Sequence, residues 1–430
     1  MPAFTCLVMM AEKKEVFIME KRCVICNRGL HEKNKVVFRG RDLCFHCSFG
    51  IAGCFGNITP FSDKPEEEVF TADNGHNILS PRKIYDLLGK YVIGQDRAKK
   101  SLANAAYTHF IRTSDGYDGN FRKSNVLLYG PTGCGKTYLV QRLAKILDVP
   151  LVIGSATSLT EAGYEGEDVS SLVERLYLLA DGDLERAQKG IIFIDEIDKL
   201  CVRDARPRVV GVTGVQQELL TMLEGTQVKI KGKDKLSMGG ELMTTMVDTT
   251  DILFICGGAF PDLQGIVEKR LNVGQKKSIG FGCAVSDEPE TDIGSIYSQV
   301  TDEDLHKFGM IPEFVGRVPV KVGLEPLDKE ALCRILSEPK DSLISQYSSI
   351  LGYSGVTLAF QDDALDAVAG KALAKGTGAR ALRSVMEEIL QDVLFQIPDE
   401  PDVCGVVITK ECVLGEAEPI LQKGGKVQSA

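Results

Sequence analysis

The central part of the chain alternates short apolar runs with amphipathic stretches of helical length. Asn125–Tyr129 and Ile191–Ile194 are continuous apolar runs, which are typical of strands buried on both faces of a parallel sheet. Tyr138–Leu147 follows the first run and has apolar residues at helical spacing. Strands that alternate with helices predict an α/β fold, and we expect a doubly wound parallel sheet over residues 81–323.

The pattern changes after residue 323. Helical periodicity recurs in Leu327–Tyr347, Asp362–Ala374 and Ala379–Leu394, and Val406–Thr409 has the pattern of a strand. These elements predict a small α+β domain over residues 324–414. The tail, 415–430, is polar and rich in glycine, so we expect it to be disordered. Residues 59–80 contain prolines and a run of acids, and they are expected to form a flexible linker.

Composition limits the classes of function. The chain has 430 residues, of which 44% are hydrophobic, and this is enough for two or three domains with real cores. A formal net charge of −10 argues against nucleic acid as the main partner, because that footprint is basic. No apolar run has the roughly 18 residues of a membrane span. Thirteen scattered cysteines favour a reducing cytoplasm over a disulfide scaffold, and the first residues are interpreted as an extension rather than a signal peptide.

Candidate chemistry begins directly after the first apolar run. Gly130–Thr137 reads Gly-Pro-Thr-Gly-Cys-Gly-Lys-Thr, which fits the P-loop pattern in its required context of strand, glycine-rich loop and helix. Backbone N–H groups of such a loop enclose phosphate oxygens, Lys136 would reach the β- and γ-phosphates, and Thr137 would bind Mg²⁺. The predicted nucleotide-binding residues of this loop are Pro131, Thr132, Gly133, Cys134, Gly135, Lys136, Thr137 and Tyr138.

Two carboxylates follow the second apolar run. Asp195 at the end of the strand is suited to hold Mg²⁺, and Glu196 is placed to polarise the attacking water. Each motif alone could be a glycine-rich turn or an ordinary core strand with solvated acids. Found together and in this order, they predict a nucleotide hydrolase that uses ATP and Mg²⁺, with Lys136, Asp195 and Glu196 as catalytic residues.

Residues 15–58 carry the pattern of a zinc-binding domain. Cys23, Cys26, Cys44 and Cys47 form two C-x₂-C pairs at the spacing of a tetrahedral Cys₄ structural Zn²⁺ site. The segment between the pairs has room for a short hairpin. This region is locally rich in Lys and Arg, so nucleic-acid binding is one possible role for it. A docking or dimerisation role is the alternative, and the net negative charge of the whole chain favours it.

With the segment Tyr91–Gln95 ahead of the P-loop, these features closely resemble the ClpX family of AAA+ unfoldases, which supply the ClpP peptidase. The resemblance runs from Cys23 to about Leu414. It implies a homohexameric ring in which Val92 and Ile93 contact adenine, although core packing would explain this apolar pair equally well.

The resemblance also assigns two arginines to the nucleotide. Pro312–Arg317 matches the block of the arginine finger, so Arg317 would reach the γ-phosphate of a neighbouring subunit. Gly376–Arg380 matches the second sensor, which aims Arg380 at the nucleotide of its own subunit. Without the surrounding blocks, both arginines would be read as surface residues.

The mechanical parts are implied by two loops. Tyr164, between glycines at 163 and 166, corresponds to the family's substrate-gripping pore loop, and Ile279, Gly280 and Phe281 correspond to its ClpP-docking tripeptide. This sequence departs from the family pattern in two segments that are implied to recognise substrates. Glu165 replaces the usual valine of the pore loop, and Thr226–Thr250 holds lysines where the family has an Arg-Lys-His loop.

The sequence therefore predicts an ATP-dependent protein unfoldase and translocase that threads substrates into ClpP, with protein substrates and adaptors as further partners. Two alternatives stay open. One is a remodelling chaperone that acts alone, for which the docking tripeptide would be dispensable. The other is a zinc-containing, nucleic-acid-dependent ATPase, which the acidic charge disfavours.

Overall fold

The computed structural model describes residues 35–38, 41–44, 78–114, 117, 119–160, 167–201, 212–231, 244–271 and 293–423. The first two segments are strands β1 (Lys35–Phe38) and β2 (Arg41–Cys44), which pair antiparallel with Val36 opposite Leu43. This hairpin follows the first cysteine pair of the predicted zinc domain and ends at Cys44, the first cysteine of the second pair.

The larger domain alternates helices and strands in the order that the apolar pattern predicts. Ser80 caps its first helix by accepting a hydrogen bond from the Lys83 N–H, as serine does at a helix start. Its elements from the first helix to the strand that ends at Asp195 are α1 (Pro81–Gly89), α2 (Asp96–Arg112), β3 (Val126–Tyr129), α3 (Lys136–Leu147), β4 (Leu151–Ser155), β5 (Leu159–Thr160), β6 (Glu167–Asp168), α4 (Val169–Leu179), α5 (Leu184–Gln188) and β7 (Ile191–Asp195).

The second half of this domain adds a hairpin, the central strand and a group of short helices. In chain order these are α6 (Val212–Glu224), β8 (Gln227–Lys231), β9 (Thr244–Asp248), β10 (Leu253–Gly258), α7 (Leu263–Leu271), α8 (Ile293–Ser298), α9 (Asp302–Phe308), α10 (Pro312–Arg317) and β11 (Val320–Gly323). β8 and β9 pair antiparallel beside the main sheet.

Five strands form the main sheet in the order β11-β3-β10-β7-β4, and all of them are parallel. The middle strand, β10, is registered through Ile255 against Val126 of β3 and Phe193 of β7. Every residue of β3 and β10 is buried, as expected for strands covered on both faces. The predicted doubly wound α/β sheet is therefore confirmed, and the carboxyl ends of β3 and β7 lie on one edge, where ligands of such sheets bind.

The sheet separates two apolar cores. One contains residues of α1, α2 and α3 and includes Leu102, Leu139 and Phe193. The other contains residues of α4, α6, α7, α9 and α10 and includes Leu172 and Phe254. Because both faces of the sheet are covered, the functional groups of this domain are pushed to its edges and to the loops beyond its strands.

The smaller domain has a core of its own. Its elements are α11 (Lys329–Ser337), α12 (Leu343–Gly352), β12 (Thr357–Phe360), α13 (Asp362–Ala374), α14 (Ala379–Gln396), β13 (Val403–Ile408), α15 (Lys410–Leu414) and β14 (Ile420–Lys423). β13 pairs parallel with β12 and antiparallel with β14. The fold is therefore the α+β type that the sequence predicts.

Two expectations for this region are wrong in detail. Leu327–Tyr347 is not one helical stretch, because a turn around Pro339 divides α11 from α12 and proline disfavours a continuous helix. The tail is not disordered from residue 415, because β14 pairs with β13 through Leu421 and Val406. Hydrogen bonds to an existing strand order this polar segment, and its own composition does not show that contact. Among the described residues no helix has the length and apolar character that crossing a bilayer requires.

Candidate functional site

A cleft of about 610 Å³ lies where the larger and smaller domains meet. The larger domain contributes the loop after β3 and the end of β7, and the smaller domain contributes the turn before α12 and the start of α14. The sequence-predicted residues that line it are Val92, Ile93, Thr132, Gly133, Cys134, Gly135, Lys136, Thr137, Tyr138, Asp195, Glu196 and Arg380. The tertiary structure thus brings together residues that are almost 300 positions apart in the sequence.

The loop after β3 has the backbone of a phosphate cradle. Gly133 and Gly135 have φ angles of 78° and 100°, in the left-handed region that side chains other than glycine rarely adopt. Gly135 is the N-cap of α3, so the free N–H groups of the first helical turn point toward the cleft. Lys136 is only 8% exposed, and its ammonium donates to the carbonyl oxygens of Gly130 and Pro131 at 2.7 and 3.0 Å. The cation is therefore held inside the loop.

Cys134 lies in the same loop and is 3% exposed. Burial raises the pKa of its thiol, because an apolar surrounding disfavours the thiolate, although the nearby Lys136 acts in the opposite direction. Cys134 therefore remains a neutral thiol that packs beneath the loop. The structure gives it a packing role within the loop rather than a chemical one.

The two predicted magnesium ligands are in contact. The Thr137 hydroxyl donates to Asp195 Oδ2 at 2.8 Å, and the Glu196 N–H donates to Asp195 Oδ1 at 2.9 Å. Both Thr137 and Asp195 present oxygen donors, which are the ligand type that Mg²⁺ prefers. These residues are 58 positions apart in the sequence, at the start of α3 and at the end of β7, and the parallel pairing of β7 in the sheet brings them together.

Glu196 is held in an unusual conformation at the end of β7. Its φ angle is 60°, which is left-handed for a residue that is not glycine and costs on the order of 1–2 kcal/mol. Its carboxylate Oε2 accepts from the hydroxyls of Ser155 and Thr157, at 3.1 Å each. The strained backbone turns the carboxylate toward the cleft, and the two hydroxyls, which the sequence reasoning missed, fix its orientation.

Asp198 is a third acid at this edge and was also missed. It lies in the 3₁₀ turn Ile197–Leu200, its side chain is 2% exposed, and its Oδ1 accepts from the Ala259 N–H at 3.1 Å. Ala259 directly follows β10. A backbone N–H thus links the end of β10 to the acids after β7. The signal in the sequence was a third carboxylate two residues after Glu196.

The opposite end of the cleft is apolar. Val92 and Ile93 are both buried and line the cleft, and Val92 also packs in the core formed with α1, α2 and α3. The buried Gln95 beside them makes two hydrogen bonds to the backbone of Glu325, donating to its oxygen at 2.8 Å and accepting from its N–H at 3.0 Å. Glu325 lies in the segment that leads into the smaller domain. This amide therefore ties the apolar wall to the connection between the domains.

The smaller domain closes the cleft over the phosphate loop. The Ala379 N–H donates to the Gly133 oxygen at 3.1 Å, and a Cβ on Gly133 would lie only 2.1 Å from the Thr377 oxygen. Gly133 thus serves two needs, a left-handed backbone and close approach of the second domain. Arg380, one residue after Ala379, lines the cleft as the resemblance implies.

A polar cluster that the sequence reasoning missed also joins the two domains. Arg142 of α3 pairs through Nη2 with Asp341 Oδ2 in the turn before α12, and the Tyr138 hydroxyl donates to the same carboxylate at 2.9 Å. The Arg142 guanidinium lies 4.9 Å from the ring centres of both Tyr91 and Tyr138. Burial raises the pKa of the Tyr138 hydroxyl, so it stays a donor. No local pattern indicates this contact, because Arg142 and Asp341 are 199 positions apart in the sequence.

Arg317 is not part of this cleft within one chain. It ends α10 and lines a separate cavity of about 1330 Å³, where its Nη2 is 2.5 Å from Glu224 Oε1. The remaining predicted residues lie outside the described part of the chain. These are Tyr164, the tripeptide Ile279–Phe281 and the zinc ligands Cys23, Cys26 and Cys47, while Cys44 ends β2 without a described side chain. Among the residues described, no three His, Cys, Asp or Glu side chains form a metal-binding group.

Comparison with known proteins agrees with this arrangement. Residues 122–321 match the family model of the AAA domain (Cdc48 subfamily), and residues 327–401 match that of the C-terminal, D2-small domain, of ClpB protein. The chain is 41% identical over 415 residues to the ATP-dependent Clp protease ATP-binding subunit ClpX of Borrelia duttonii, with 94% of each chain covered. It is 42% identical over 399 residues to ClpX of Treponema denticola, covering 91% of this chain and 93% of the relative. The chain belongs to the ClpX family and is an AAA+ ATPase.

Proposed function

We propose that this chain is the ATP-driven unfoldase of a homohexameric ring that threads proteins into a ClpP-type peptidase. The observation that carries the proposal is the cleft between the domains. Its phosphate loop and acids belong to the larger domain, and the residues that cover the loop belong to the smaller domain. Hydrolysis at such a junction can change the angle between the domains. The relatives are named as ATP-binding subunits of the Clp protease, which supports the peptidase as partner.

The residues of the cleft divide the chemistry among themselves. The backbone N–H groups of Gly133 and Gly135 would bind phosphate oxygens, and Lys136 would exchange its loop carbonyls for the β- and γ-phosphates of ATP. Glu196 would accept the proton of the attacking water at the carboxylate that Ser155 and Thr157 orient. The buried backbone around these groups provides orientation without further rearrangement.

The oxygens of Thr137 and Asp195 fit Mg²⁺ by their chemistry and by their mutual contact. The metal, when bound, neutralises charge on the transferring phosphoryl group. The Thr137 hydroxyl donates to the Asp195 carboxylate, so the two oxygen donors lie side by side where the metal would bind.

Two arginines would complete the site from different places. Arg380 lines the cleft of its own chain and would contact the phosphates from the smaller domain. Arg317 lies outside that cleft, which is what a finger acting on the neighbouring subunit requires. A finger supplied between subunits implies a head-to-tail interface that closes into a ring.

Motion of the smaller domain would be transmitted to substrate by the loop of Tyr164, and the peptidase would be engaged by Ile279-Gly280-Phe281. Bulky apolar residues in a polar, glycine-rich segment gain free energy when a partner buries them. The four predicted zinc ligands would fold the N-terminal domain around Zn²⁺, where substrates or adaptors would dock.

The test combines purified protein, ClpP, ATP and a fluorescent folded substrate that carries an unstructured tail. We expect loss of fluorescence with the wild-type chain, and loss of degradation with unchanged ATP turnover in the double variant Ile279→Glu, Phe281→Ala. Glu196→Gln should bind ATP but hydrolyse it at least about 100-fold more slowly.

A matched loop variant, Lys276→Ala with Lys277→Ala, changes the same segment and keeps the tripeptide, so it should degrade substrate normally. If the substrate is unfolded equally well with or without ClpP, and equally well by the tripeptide variant, the protein is a remodelling chaperone that acts alone. ATP turnover without any effect on a protein would contradict the proposed unfoldase.

A further inference from the structure

The second cavity of the larger domain carries a charge pair that the reaction described above does not use. Arg317 and Glu224 meet there at 2.5 Å, and their side chains are 43% and 48% exposed. Exposed pairs of this kind usually contribute little to stability. This pair joins the last residues of two helices, α10 and α6, that are far apart in the chain.

One buried residue fixes the backbone beneath both members of the pair. The Asn125 amide donates to the Leu223 oxygen at 3.3 Å and to the oxygen of Arg317 itself at 3.0 Å. Its own oxygen accepts from the Phe254 N–H of β10 at 3.4 Å, and Asn125 is 1% exposed. A side chain that uses all of these groups in the core holds α6, α10 and the sheet in one register.

The end of α6 is anchored a second time. The Lys123 ammonium donates to the oxygens of Met222 and Thr249 at 3.2 and 2.8 Å, and the Thr249 hydroxyl donates to the Met222 oxygen at 3.1 Å. Gly225 then ends the helix with a φ angle of 108°. The last helical carbonyls are thus satisfied by side chains, and Glu224 projects from a rigid base.

We propose that Glu224 is the positioning residue of the arginine finger, so that it holds Arg317 in the orientation in which a neighbouring subunit's ATP receives it. The inference rests on the proposed ring, in which the finger acts between subunits. Arginine has five N–H donors in a planar fork, and the contact with Glu224 is made through Nη2. An arginine bound through one edge of this fork can offer its other edge to a phosphate, so the two contacts are compatible.

The pair is half exposed in the isolated chain, where water screens it. A neighbouring subunit that covers the cavity would remove that water and strengthen the pair, because charge interactions grow as the local dielectric falls. Arg122 lines the same cavity and adds positive charge near Arg317, which suits an anionic group such as a nucleotide phosphate, whereas Arg112 is already paired with Asp251 at 2.6 Å. In this proposal Glu224 fixes the direction in which Arg317 is presented.

The experiment uses rings mixed from two inactive variants of the full chain. Glu196→Gln subunits cannot hydrolyse their own ATP but supply a finger, and Arg317→Ala subunits keep their own acids but supply none. Mixing should restore ATP turnover wherever an Arg317→Ala site receives a finger from a Glu196→Gln neighbour. Glu224→Gln is then added to one variant or to the other.

In the finger-donating Glu196→Gln subunit, Glu224→Gln should lower the restored kcat about three- to fivefold and leave the KM for ATP unchanged. In the finger-receiving Arg317→Ala subunit it should have no effect on the restored turnover. Glu313→Gln in the donor removes a charge from the same helix as Arg317 and keeps the pair, so it should also have no effect. Glu224→Asp in the donor should recover part of the lost turnover, because the charge is retained.

The positioning role would be overturned if Glu224→Gln lowered the restored turnover equally in either subunit, changed only the KM for ATP, or raised kcat. A higher kcat would show that Glu224 restrains the finger instead. Failure of the two single variants to restore any turnover in verified mixed rings would overturn the finger between subunits, and this inference with it. The unfolding midpoint of each variant is measured in parallel, so that loss of the fold is recognised as such.

Discussion

The contact between Arg142 and Asp341 should be a main determinant of how the two domains hold the cleft. Arg142 belongs to the helix that follows the phosphate loop, and Asp341 belongs to the smaller domain. Their side chains are 20% and 24% exposed, so the charges are partly withdrawn from water. The perturbation is a double-mutant cycle of Arg142→Ala, Asp341→Ala and the combined variant.

The magnitude follows from this intermediate burial. Exposed pairs couple by about 0.2–1 kcal/mol, whereas breaking a buried pair costs about 3–5 kcal/mol. With about a fifth to a quarter of each side chain exposed, we expect a coupling free energy of about 1.5 kcal/mol between Arg142 and Asp341. Arg142→Ala should cost more than Asp341→Ala, because it also removes cation–π contacts with Tyr91 and Tyr138 worth about 0.5–1 kcal/mol each.

The assay is equilibrium unfolding in urea, with ATP affinity of each variant measured alongside. The control cycle uses Arg334 and Glu338, which pair at 2.8 Å within the smaller domain and have side chains 49% and 47% exposed. We expect that helical i,i+4 pair to couple by about 0.3–0.5 kcal/mol. A coupling free energy for Arg142 and Asp341 no larger than that of the control, with unchanged ATP affinity, would show that this pair does not hold the two domains together.

Two further predictions concern the larger domain and its loop. Burial lowers the pKa of His109 to about 4. Below pH 6.5 the unfolded chain therefore binds a proton at this histidine, whereas the folded chain does not bind it until about pH 4. The free energy of unfolding should consequently fall by about 2 kcal/mol between pH 7.5 and pH 5. Urea midpoints at the two pH values check this against His109→Gln, and equal acid sensitivity of both chains would contradict it. Gly133→Ala and Gly135→Ala strain left-handed backbone alike, but only a Cβ on Gly133 meets the Thr377 oxygen, whereas Gly135 has open space. Gly133→Ala should therefore lower the unfolding midpoint further, and equal shifts would show that the domains do not press on this residue.

Elements with strong local signals were predicted well. The helix Asp362–Ala374 has the bounds that its periodicity indicated, and β7 extends the predicted apolar run by one residue to Asp195. The P-loop and the acids after β7 were found because their chemistry requires a fixed order of strand, turn and helix. The family and its ATPase activity were recognised on the same basis.

Elements that depend on distant partners were predicted poorly. β14 is a short segment with two apolar residues, Ile420 and Leu421, in a polar tail, and it pairs with β13. Glu224, Asp341 and the hydroxyls of Ser155 and Thr157 carry no local pattern that separates them from ordinary surface residues. Their partners, Arg317, Arg142 and Glu196, come from other elements of the chain.

Local sequence was sufficient for the fold class, the order of the elements and the catalytic residue types of the cleft, because periodicity and glycine conformation act over a few neighbouring residues. The side chains that orient those catalytic groups could be identified only from the three-dimensional contacts. Hydrogen bonds and ion pairs act over about 3 Å, and the residues that make them meet only after the sheet has formed and the smaller domain has closed over the phosphate loop.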